Sequence, residues 1–348
     1  MKILYGVQGT GNGHIARARA MSKALKQRDL EVDFLFSGRA SDKYFSMDDF
    51  GDYQTRRGMT FVTEKGRVNY WKTGLNNSLI QLNKEIAALD LSRYELVLND
   101  FEPISAWAAK KQKVTCIGIS HQNAFRYPVP LKGASWLDKR VIEHFAPCDQ
   151  HIGLHWYHFD QPLLPPIVHT LGEKARLEQY VLVYLPFESV DDICELLFRF
   201  GNQRFVCFHP AVTGLQELEN VTLRPLCHQG FQHHLQRCSG VIANGGFELP
   251  SEALTLGKKL LLKPLAGQFE QQSNVATLEN LGLASSMDFL DASAVRSWLD
   301  EKEAESVSYP DVAGAIADWL VGGDLSDPAS LSLALWEKVD FPSYVINL

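Results

Sequence analysis

Several features that mark whole classes of protein are missing from this chain of 348 residues. It has no low-complexity tract and no apolar run close to the roughly 18 residues that a membrane-spanning helix needs. It opens on a short apolar strand pattern and a glycine-rich loop, which is not the pattern of a secretory signal. Its six cysteines contain no C-x-x-C pair, so we expect buried thiols rather than disulfides or a zinc framework. These absences predict a globular protein of the cytoplasm.

Charge is unevenly distributed along the chain, although the net value is only −7. Lys and Arg outnumber Asp and Glu in residues 1–165, and the acids outnumber the bases after that point. The basic half is therefore a candidate to meet an anionic partner, such as a phosphorylated acceptor or a membrane surface. Ordinary variation between the surfaces of two domains explains the asymmetry equally well. Because no dense basic stripe is interleaved with aromatic residues, nucleic acid is not an expected partner.

The pattern of strands and helices predicts a two-domain α/β protein. Short apolar strands alternate with amphipathic segments, which is typical of parallel sheets covered by helices. We predict a Rossmann-like domain at 1–165, a second at 173–325, and a C-terminal helix and tail at 326–348 that packs back on the first domain. The Pro-rich stretch 160–172 is the expected connector. A cleft should form where the carboxyl ends of the two sets of strands face each other.

A ligand site is predicted most clearly by residues 244–274, NGGFELPSEALTLGKKLLLKPLAGQFEQQSN. Gly245 and Gly246 precede a helix, so the main-chain N–H groups of Gly245–Phe247 and the helix dipole can approach an anion such as a diphosphate. Glu252 lies nearly two turns into that helix, where its carboxylate could accept hydrogen bonds from the hydroxyls of a ribose. Glu248 enters the same site from the first turn. A phosphate site beside a diol site describes a nucleotide.

A second polar cluster follows the next predicted strand. It contains Gln268, Glu270 and Gln271, which start another helix. Such a cluster can bind a group attached to the nucleotide, and a sugar has the matching chemistry. The sequence thus predicts a nucleotide-sugar pocket in the second domain.

The first domain opens with another glycine-rich loop, GVQGTGNGHIARARA at 6–20. It fails the dinucleotide fingerprint, because His14 stands where the third glycine belongs and no acid follows the second strand. Gly11 and Gly13 leave His14 at the start of a helix that faces the predicted cleft. A helix N-terminus disfavours a positive charge, so a neutral imidazole could accept a proton there. The alternative is that His14 is a capping or packing residue.

Two acids follow the strand at 94–99 and are further candidates for acid–base chemistry. Asp100 should lie in the same crevice as His14, where it would either orient the imidazole or act as the base itself. Glu102 is a third candidate base. The alternative role for Asp100 is to cap the helix that starts near Pro103.

The block at 244–274 resembles the donor-binding signature of GT-B glycosyltransferases, G-G-x-x-S-x-x-E-A-L, then P, then (D/E)-Q-x-x-N. The matching residues are Gly245, Gly246, Glu252, Ala253, Leu254, Pro264, Glu270, Gln271 and Asn274. The signature has a small hydroxyl residue where this chain has Leu249. Gly11, Gly13, His14 and Ala18 are similar to the first loop of MurG-type enzymes, and residues 121–124 are similar to their H-E-Q-N-A loop without its acid.

This resemblance implies a GT-B fold, with two Rossmann-like parallel-sheet domains facing a central cleft. It also implies an inverting, metal-independent transfer of a sugar from a nucleotide diphosphate, here most plainly a UDP-sugar, to a glycan or lipid-linked acceptor. No cofactor is expected beyond that co-substrate, and the lack of an Asp-x-Asp motif fits a site without metal. Two alternatives stay open at this stage: a nucleotide-sugar 2-epimerase on the same fold, and a non-catalytic regulator that binds sugar nucleotides.

Overall fold

The protein is built on two large β-sheets, seen here in a computed structural model that describes residues 1–60, 63–64, 67–68, 78–168, 176–322 and 325–345. The strands of the first half are β1 (Lys2–Gln8), β2 (Glu31–Ser37), β3 (Gln54–Thr55), β4 (Thr63–Glu64), β5 (Arg67–Val68), β6 (Leu96–Asp100), β7 (Cys116–Ser120) and β8 (Gln150–Gly153). Its α-helices are α1 (Asn12–Lys26), α2 (Leu79–Ala88), α3 (Pro103–Gln112) and α4 (Trp136–His144).

The second half repeats this plan with a second sheet and its own covering helices. Its strands are β9 (Tyr180–Tyr184), β10 (Arg204–Phe208), β11 (Gln216–Leu218), β12 (Val221–Arg224), β13 (Gly240–Asn244), β14 (Lys259–Lys263) and β15 (Ser285–Ser286). Its α-helices are α5 (Val190–Phe198), α6 (His228–Arg237), α7 (Glu248–Thr255), α8 (Phe269–Asn280), α9 (Ala292–Leu299), α10 (Val312–Gly322) and α11 (Pro328–Trp336).

Both large sheets have the same doubly wound strand order. The first runs β3-β2-β1-β6-β7-β8, and all its pairs are parallel. The second runs β12-β10-β9-β13-β14-β15, with β11 added antiparallel at one edge. In each sheet the winding reverses beside the first strand, between β1 and β6 or between β9 and β13. Ligands of open α/β sheets bind at this switch point, outside the carboxyl ends of the strands.

The central strands are buried on both faces, as expected when helices cover a parallel sheet on both sides. Every residue of β6, β7 and β13 is buried. One apolar cluster joins the two halves, because Ile15 of α1, Trp156 and Phe247 belong to the same packed core. The two switch points are therefore held facing each other across a closed interface.

The last two helices lie against the first half of the chain. Arg28 of α1 binds both carboxylate oxygens of Asp318 in α10, with nitrogen-to-oxygen distances of 2.8 and 2.9 Å. In α11 the Trp336 Nε1 donates to the Leu163 carbonyl oxygen at 2.6 Å. The return of the chain onto the first domain thus begins at α10, ahead of the boundary at 326 that the sequence indicates.

The prediction of an α/β protein with two parallel-sheet domains is confirmed. The strand expected at 94–99 is β6 (Leu96–Asp100), and the helix expected to start near Pro103 is α3 (Pro103–Gln112). The sequence reading missed β11 and β15, which are edge strands of two or three residues with little apolar signal. The sequence also predicts a strand with a polar loop at 52–70; part of that range, and part of the connector at 160–172, lie outside the described residues. In the part of the chain that the structure describes, no helix has the length and apolarity that a bilayer span requires.

Candidate active site

His14 and Asp100 meet at the switch point of the first sheet. His14 lies in the first turn of α1, directly after the glycine-rich loop, and Asp100 is the last residue of β6. Because β1 and β6 are neighbours, with Val7 paired to Asp100, the loop after β1 passes over the end of β6. The His14 Nδ1 lies 2.9 Å from the Asp100 Oδ1. The structure therefore brings together the pair that the sequence suggested.

Arg17 completes this cluster, and the sequence reading did not single it out. It lies one turn after His14 on the same face of α1, since side chains three positions apart are neighbours on a helix. Its Nε and NH2 groups bind the two oxygens of Asp100 at 2.9 and 2.8 Å. Its NH1 group reaches across the cleft to the Glu248 Oε2 at 3.0 Å. The spacing of His14 and Arg17 was the available signal for this residue.

The environment of Asp100 keeps it ionised. Its side chain is 0% exposed, and burial alone raises the pKa of a carboxyl group. The positive charge of Arg17 and the contact with His14 outweigh that effect, so the pKa of Asp100 is lowered below its ordinary value. Both carboxylate oxygens are engaged by these two neighbours. Asp100 is thereby placed to orient His14.

The contacts of His14 select one arrangement of its protons. Its Nδ1 lies within hydrogen-bond distance of both Asp100 and the Arg17 NH2, at 2.9 and 3.0 Å. If Nδ1 carries the proton it donates to Asp100, and Arg17 NH2 then donates to the same carboxylate. That tautomer leaves Nε2 with a free lone pair on a side chain that is 13% exposed. His14 can therefore accept a proton from a group in the cleft.

Glu102, the third candidate base, has a different role. It is the N-cap of α3, and one of its oxygens accepts from the Ile104 N–H at 2.8 Å while the other accepts from the Ser105 N–H at 2.6 Å. The hydroxyls of Ser37 and Ser105 also donate to this carboxylate, each at 2.6 Å. The helix cap that the sequence left open for Asp100 is thus supplied by Glu102. With both oxygens held in this way, we do not propose Glu102 as a base.

The two glycines before α7 are needed for different reasons. A Cβ at Gly245 would lie 2.7 Å from the Val275 Cγ2 and 2.8 Å from the Gln271 carbonyl oxygen, so Gly245 allows α8 to pack closely. A Cβ at Gly246 would meet nothing within 4 Å. The Gly246 N–H donates to the Asn244 carbonyl oxygen at 2.8 Å, which commits one of the three amides that the sequence assigned to an anion. Gly246 therefore leaves open space beside the turn, and Gly245 allows α8 to pack closely against it.

The glycines of the first loop also face the second domain or open space. A Cβ at Gly13 would lie 3.3 Å from the Glu248 Cβ, so the lack of a side chain there allows α1 and α7 to meet end to end. Nothing lies within 4 Å of a Cβ built at Gly11. The loop thus leaves the start of α1 accessible beside His14.

Phe247 connects the glycine turn to the loop after β7. Its ring stacks on the imidazole of His121 with centroids 4.0 Å apart and an angle of 9°. The His121 Nε2 lies 2.6 Å from the Asn274 Oδ1, and the Asn274 side-chain amide donates to the Gly245 carbonyl oxygen at 3.0 Å. Burial lowers the pKa of His121, which therefore stays neutral in this stack. The network fixes the turn relative to the first domain.

Glu248 and Glu252 line an open cavity of about 120 Å³ between α1, α6 and α7. Gly13 and Arg19 form its wall on the side of the first domain, and Tyr184, at the end of β9, adds an aromatic ring on the other side. The Glu252 Oε2 accepts from the Gln232 Nε2 at 3.0 Å. Glu252 is 4% exposed and faces the gap between the domains, as the sequence predicted for a ligand of the ribose. The cavity offers carboxyl oxygens to a ligand that carries hydroxyl or N–H groups.

Burial makes both cavity acids readily protonated. It raises the pKa of Glu248 to about 8, since the Arg17 charge offsets only part of the effect and Glu252 and Asp100 add to it. Burial likewise raises the pKa of Glu252 to about 7, against the opposing effects of Gln232 and Arg19. The Glu248 Oε1 is buried and has no hydrogen-bond partner among the described residues. Both acids can therefore exchange protons or hydrogen bonds with a ligand.

Gln268, Glu270 and Gln271 lie together at the start of α8, as predicted, but none is among the described residues that line this cavity. The Gln271 Oε1 accepts from the Leu265 N–H at 2.8 Å and so closes the loop before α8. Glu270 accepts from the Gln122 side-chain amide at 3.1 Å, a contact between the two domains. Gln268 is the N-cap residue of α8, although its side chain makes no capping hydrogen bond.

The site was predicted to contain no metal. Within the ranges that the structure describes, no three His, Cys, Asp or Glu side chains are grouped as ligands for a metal ion. The guanidinium of Arg17 links the two domains at this site, because it binds Asp100 in the first and Glu248 in the second.

Comparison with solved structures gives the same overall fold. The chain is similar to the glycosyltransferase SnogD from Streptomyces nogalater, with 16% identity, a TM-score of 0.51, and coverage of 97% of this chain and 99% of the other. It is also similar to the glycosyltransferase SsfS6 of Streptomyces sp. SF2575 in complex with thymidine diphosphate, with 13% identity, a TM-score of 0.57, and coverage of 97% and 99%. For TcCGT1 in complex with UDP the values are 13%, 0.56, and 97% and 94%.

These likenesses establish a GT-B fold, which the sequence predicted from its glycine-rich motifs. No curated protein matches the sequence at a significant level. A protein family described as Glycosyl transferase family 1 matches residues 1–301, which include both sheets and all the site residues named above. The chain belongs to glycosyl transferase family 1 and is a glycosyltransferase of GT-B fold.

Proposed function

We propose that the protein is an inverting, metal-independent glycosyltransferase that moves a hexosyl or N-acetylhexosaminyl group from a UDP-sugar to a glycan or lipid-linked acceptor. The observation that carries the proposal is the His14–Asp100 contact of 2.9 Å, which Arg17 links across the domain interface to Glu248 of the acidic cavity. Two proteins of similar fold were solved with thymidine diphosphate and with UDP, which supports a nucleotide diphosphate as the donor's leaving group.

His14 is the base in this proposal. Its Nε2 takes the proton of the acceptor hydroxyl, while Nδ1–H donates to Asp100 and fixes the plane of the ring. The acceptor oxygen then forms a bond to the anomeric carbon as the bond from that carbon to the diphosphate oxygen breaks, and the electron pair leaves with the diphosphate. Attack from the face opposite the leaving group inverts the anomeric centre. Asp100 is a poorer choice of base, because it is fully buried and both of its oxygens are engaged.

The second domain holds the donor. Glu252 accepts hydrogen bonds from the ribose hydroxyls, and the main chain at Phe247 with the N-terminus of α7 stabilises the diphosphate charge. Gln268, Glu270 and Gln271 are proposed to contact the sugar. Gly11 and Gly13 leave room for the donor beside His14.

On the acceptor side, we propose that the protein is cytoplasmic and makes peripheral contact with the inner face of the membrane. Trp136 is 77% exposed at the start of α4, next to the exposed Leu137. Lys139 and Arg140 are exposed one turn later. Aromatic and aliphatic side chains beside basic ones suit an anionic bilayer surface. This patch is where a lipid-linked acceptor would approach the first domain.

A ligand screen tests the donor half of the proposal. UDP, dTDP, GDP and ADP are added separately, and the melting temperature is measured; a ligand at 100 times its Kd stabilises the native state by about 2.7 kcal/mol. We expect UDP to raise the melting temperature of the wild type and to have little effect on Glu252→Ala. Glu195→Ala, which removes an exposed carboxylate on α5, is the matched control. If no nucleotide stabilises the wild type, the proposal is wrong.

Product analysis tests the reaction itself. Incubation with a UDP-sugar and a candidate acceptor should release UDP in proportion to glycosylated product with inverted anomeric configuration. Formation of an epimeric UDP-sugar without an acceptor would instead identify an isomerase. Binding without any turnover, across a broad panel of acceptors, would favour a regulator.

Co-sedimentation with vesicles tests the membrane contact. Vesicles that contain 30% anionic lipid should retain the wild type at low salt and should retain Trp136→Ala/Leu137→Ala less well. Neutral vesicles are the control for charge, and Phe289→Ala, which removes an exposed apolar ring in the second domain, is the control for exposed apolar area. Equal retention of all three proteins would remove this part of the proposal.

A further inference from the structure

Arg17 joins three groups that belong to different parts of the proposed reaction. It binds both oxygens of Asp100, lies 3.0 Å from the His14 Nδ1, and reaches Glu248 in the second domain at 3.0 Å. Both Arg17 and Glu248 are buried. A buried ion pair between domains is costly to assemble and contributes little net stability compared with apolar packing. Such a pair calls for a functional explanation.

The position of Glu248 supplies that explanation. It is the first residue of α7, immediately after the turn of Gly245–Phe247, and its carboxylate therefore lies at the positive end of the helix. An anion at this position is favoured by the helix dipole. The diphosphate of a donor would use the same end of the same helix. The carboxylate of Glu248 thus occupies a place suited to a phosphate group.

We propose that Arg17 is the catalytic cation that binds the leaving diphosphate, and that Glu248 holds its guanidinium until a donor arrives. The donor phosphate displaces the Glu248 carboxylate from the NH1 group of Arg17. The Nε and NH2 groups stay on Asp100, so one side chain links donor binding to the orientation of His14. Guanidinium suits this task because its planar fork binds two anions at once.

The contacts of Glu248 allow a phosphate group to displace it from Arg17. Only its Oε2 is bonded to Arg17, and its Oε1 is buried without a partner among the described residues. It also faces the cavity that Glu252 lines. Burial raises the pKa of Glu248 to about 8 even beside Arg17, so at neutral pH the carboxyl group is largely protonated and can leave Arg17 without becoming a bare buried charge. A phosphate group brings more negative charge and more acceptor oxygens to the guanidinium than Glu248 does.

The inference rests on the proposed function, and binding titrations with UDP and with uridine test it separately. Arg17→Lys keeps a positive charge beside Asp100 but loses the fork, so UDP should bind about tenfold more weakly. Above about pH 8, where Glu248 is charged, Glu248→Gln keeps the shape but removes the competing charge, so UDP should bind about threefold to tenfold more tightly. Uridine carries no phosphate, and its affinity should change in neither variant.

The controls separate a phosphate contact from a change in fold. Glu252→Gln should weaken UDP and uridine alike, because both contain the ribose. Equal changes for UDP and uridine in Arg17→Lys, or no tightening of UDP by Glu248→Gln, would overturn the inference and leave the proposed function intact. If the wild type binds UDP no better than uridine, Arg17 has no diphosphate to hold, and both proposals fall.

Turnover gives a second readout. Arg17→Lys should lower kcat as well as affinity, since the leaving charge develops most fully in the transition state. Glu248→Gln should lower KM, because it removes the group that competes with the donor for Arg17. Its kcat should change by less than about twofold to threefold, because Glu248 has already left Arg17 when the transition state forms. A structural role for the pair would instead lower the melting temperature in both variants and leave the contrast between UDP and uridine absent.

Discussion

The two sheets share a strand order, but the buried acids at their carboxyl edges have pKa values shifted in opposite directions. At the edge of the first sheet, Asp100 is fully buried and its pKa is lowered. At the edge of the second, Glu248 and Glu252 are just as buried, and their pKa values are raised to about 8 and about 7. The difference is Arg17, which binds Asp100 with two groups and Glu248 with one. Burial favours the neutral form of all three acids, and only at Asp100 are the partners strong enough to keep the charge.

This contrast matches the tasks that we propose for the two edges. A base needs an orienting group with a fixed charge, and Asp100 beside Arg17 supplies one to His14. A donor pocket needs hydrogen-bonding groups that can exchange one partner for another. The raised pKa values of Glu248 and Glu252 mean that the charged form of each group is disfavoured. The first edge is therefore a rigid half of the site, and the second is the half that a ligand rearranges.

The largest expected effect comes from removing the base at the first edge. His14→Ala should lower kcat by about 10²–10⁴, the range for a positioned general base. His14→Gln should be almost as poor, because an amide cannot take up the proton. UDP affinity should change little in either variant, since His14 is not proposed to contact the diphosphate or the ribose. Steady-state rates with a UDP-sugar, together with UDP titration, check this prediction, and a rate within tenfold of wild type would exclude His14 as the base.

A large effect on folding is expected at the same edge from Asp100→Asn. Removing this charge leaves Arg17 buried with only Glu248 as an anionic partner, and breaking a buried pair costs about 3–5 kcal/mol. Urea denaturation measures the loss in the free energy of unfolding. Asp49→Asn is the matched control, because Asp49 pairs with Arg19 at 3.3 Å but is 61% exposed, and exposed pairs contribute little. Equal stability of the two variants would mean that Arg17 is not held by Asp100 as described.

At the second edge we expect a dependence of stability on pH with the opposite sign to that of a salt-bridged acid. The pKa of Glu252 is raised from 4.5 to about 7, so the folded protein binds more protons between these values. Stability is then fully present below about pH 4.5 and is lost as the pH rises to about 7, by about 3 kcal/mol at 1.36 kcal/mol per unit. Glu248, whose pKa is raised to about 8, adds a slope of the same sign, so Glu252→Gln should remove roughly half of the slope between pH 5 and pH 7. The free energy of unfolding at pH 5 and pH 7 in both proteins measures it, and parallel slopes would contradict the prediction.

The parts of the molecule that follow from repeated local patterns could be predicted from sequence. The apolar runs at β1 and β13 and the glycine turn at 245–246 gave the sheets and the GT-B fold, which the comparisons confirm. The pairing of His14 with Asp100 was also accessible, because parallel strands end at the same edge. Their catalytic roles stay a proposal.

Other parts depend on contacts that no local pattern encodes. The sequence offered Asp100 as a possible cap of α3, but the cap is Glu102, because the Asp100 carboxylate is engaged by Arg17. The spacing of Arg19, Lys23 and Lys26 on one face of α1 predicts a solvated face, whereas the fold buries Arg19 against the segment that contains Asp49. The meeting of Arg17 with Glu248 joins residues 231 positions apart. Such contacts arise only when the two domains close on each other.

The smallest expected effect separates packing from ligand space within the glycine turn of the second edge. In Gly245→Ala the new methyl group meets Val275 and the Gln271 carbonyl oxygen at 2.7 and 2.8 Å, so α8 must shift, at a cost of about 1–3 kcal/mol. In Gly246→Ala the methyl group meets nothing within 4 Å, so the fold should keep its stability while UDP binding weakens, because the methyl group stands where the diphosphate approaches. Urea denaturation and UDP titration of both variants measure the two effects. If Gly246→Ala binds UDP as the wild type does, the open side of this glycine is not the path of the donor, and the diphosphate must be held elsewhere along α7.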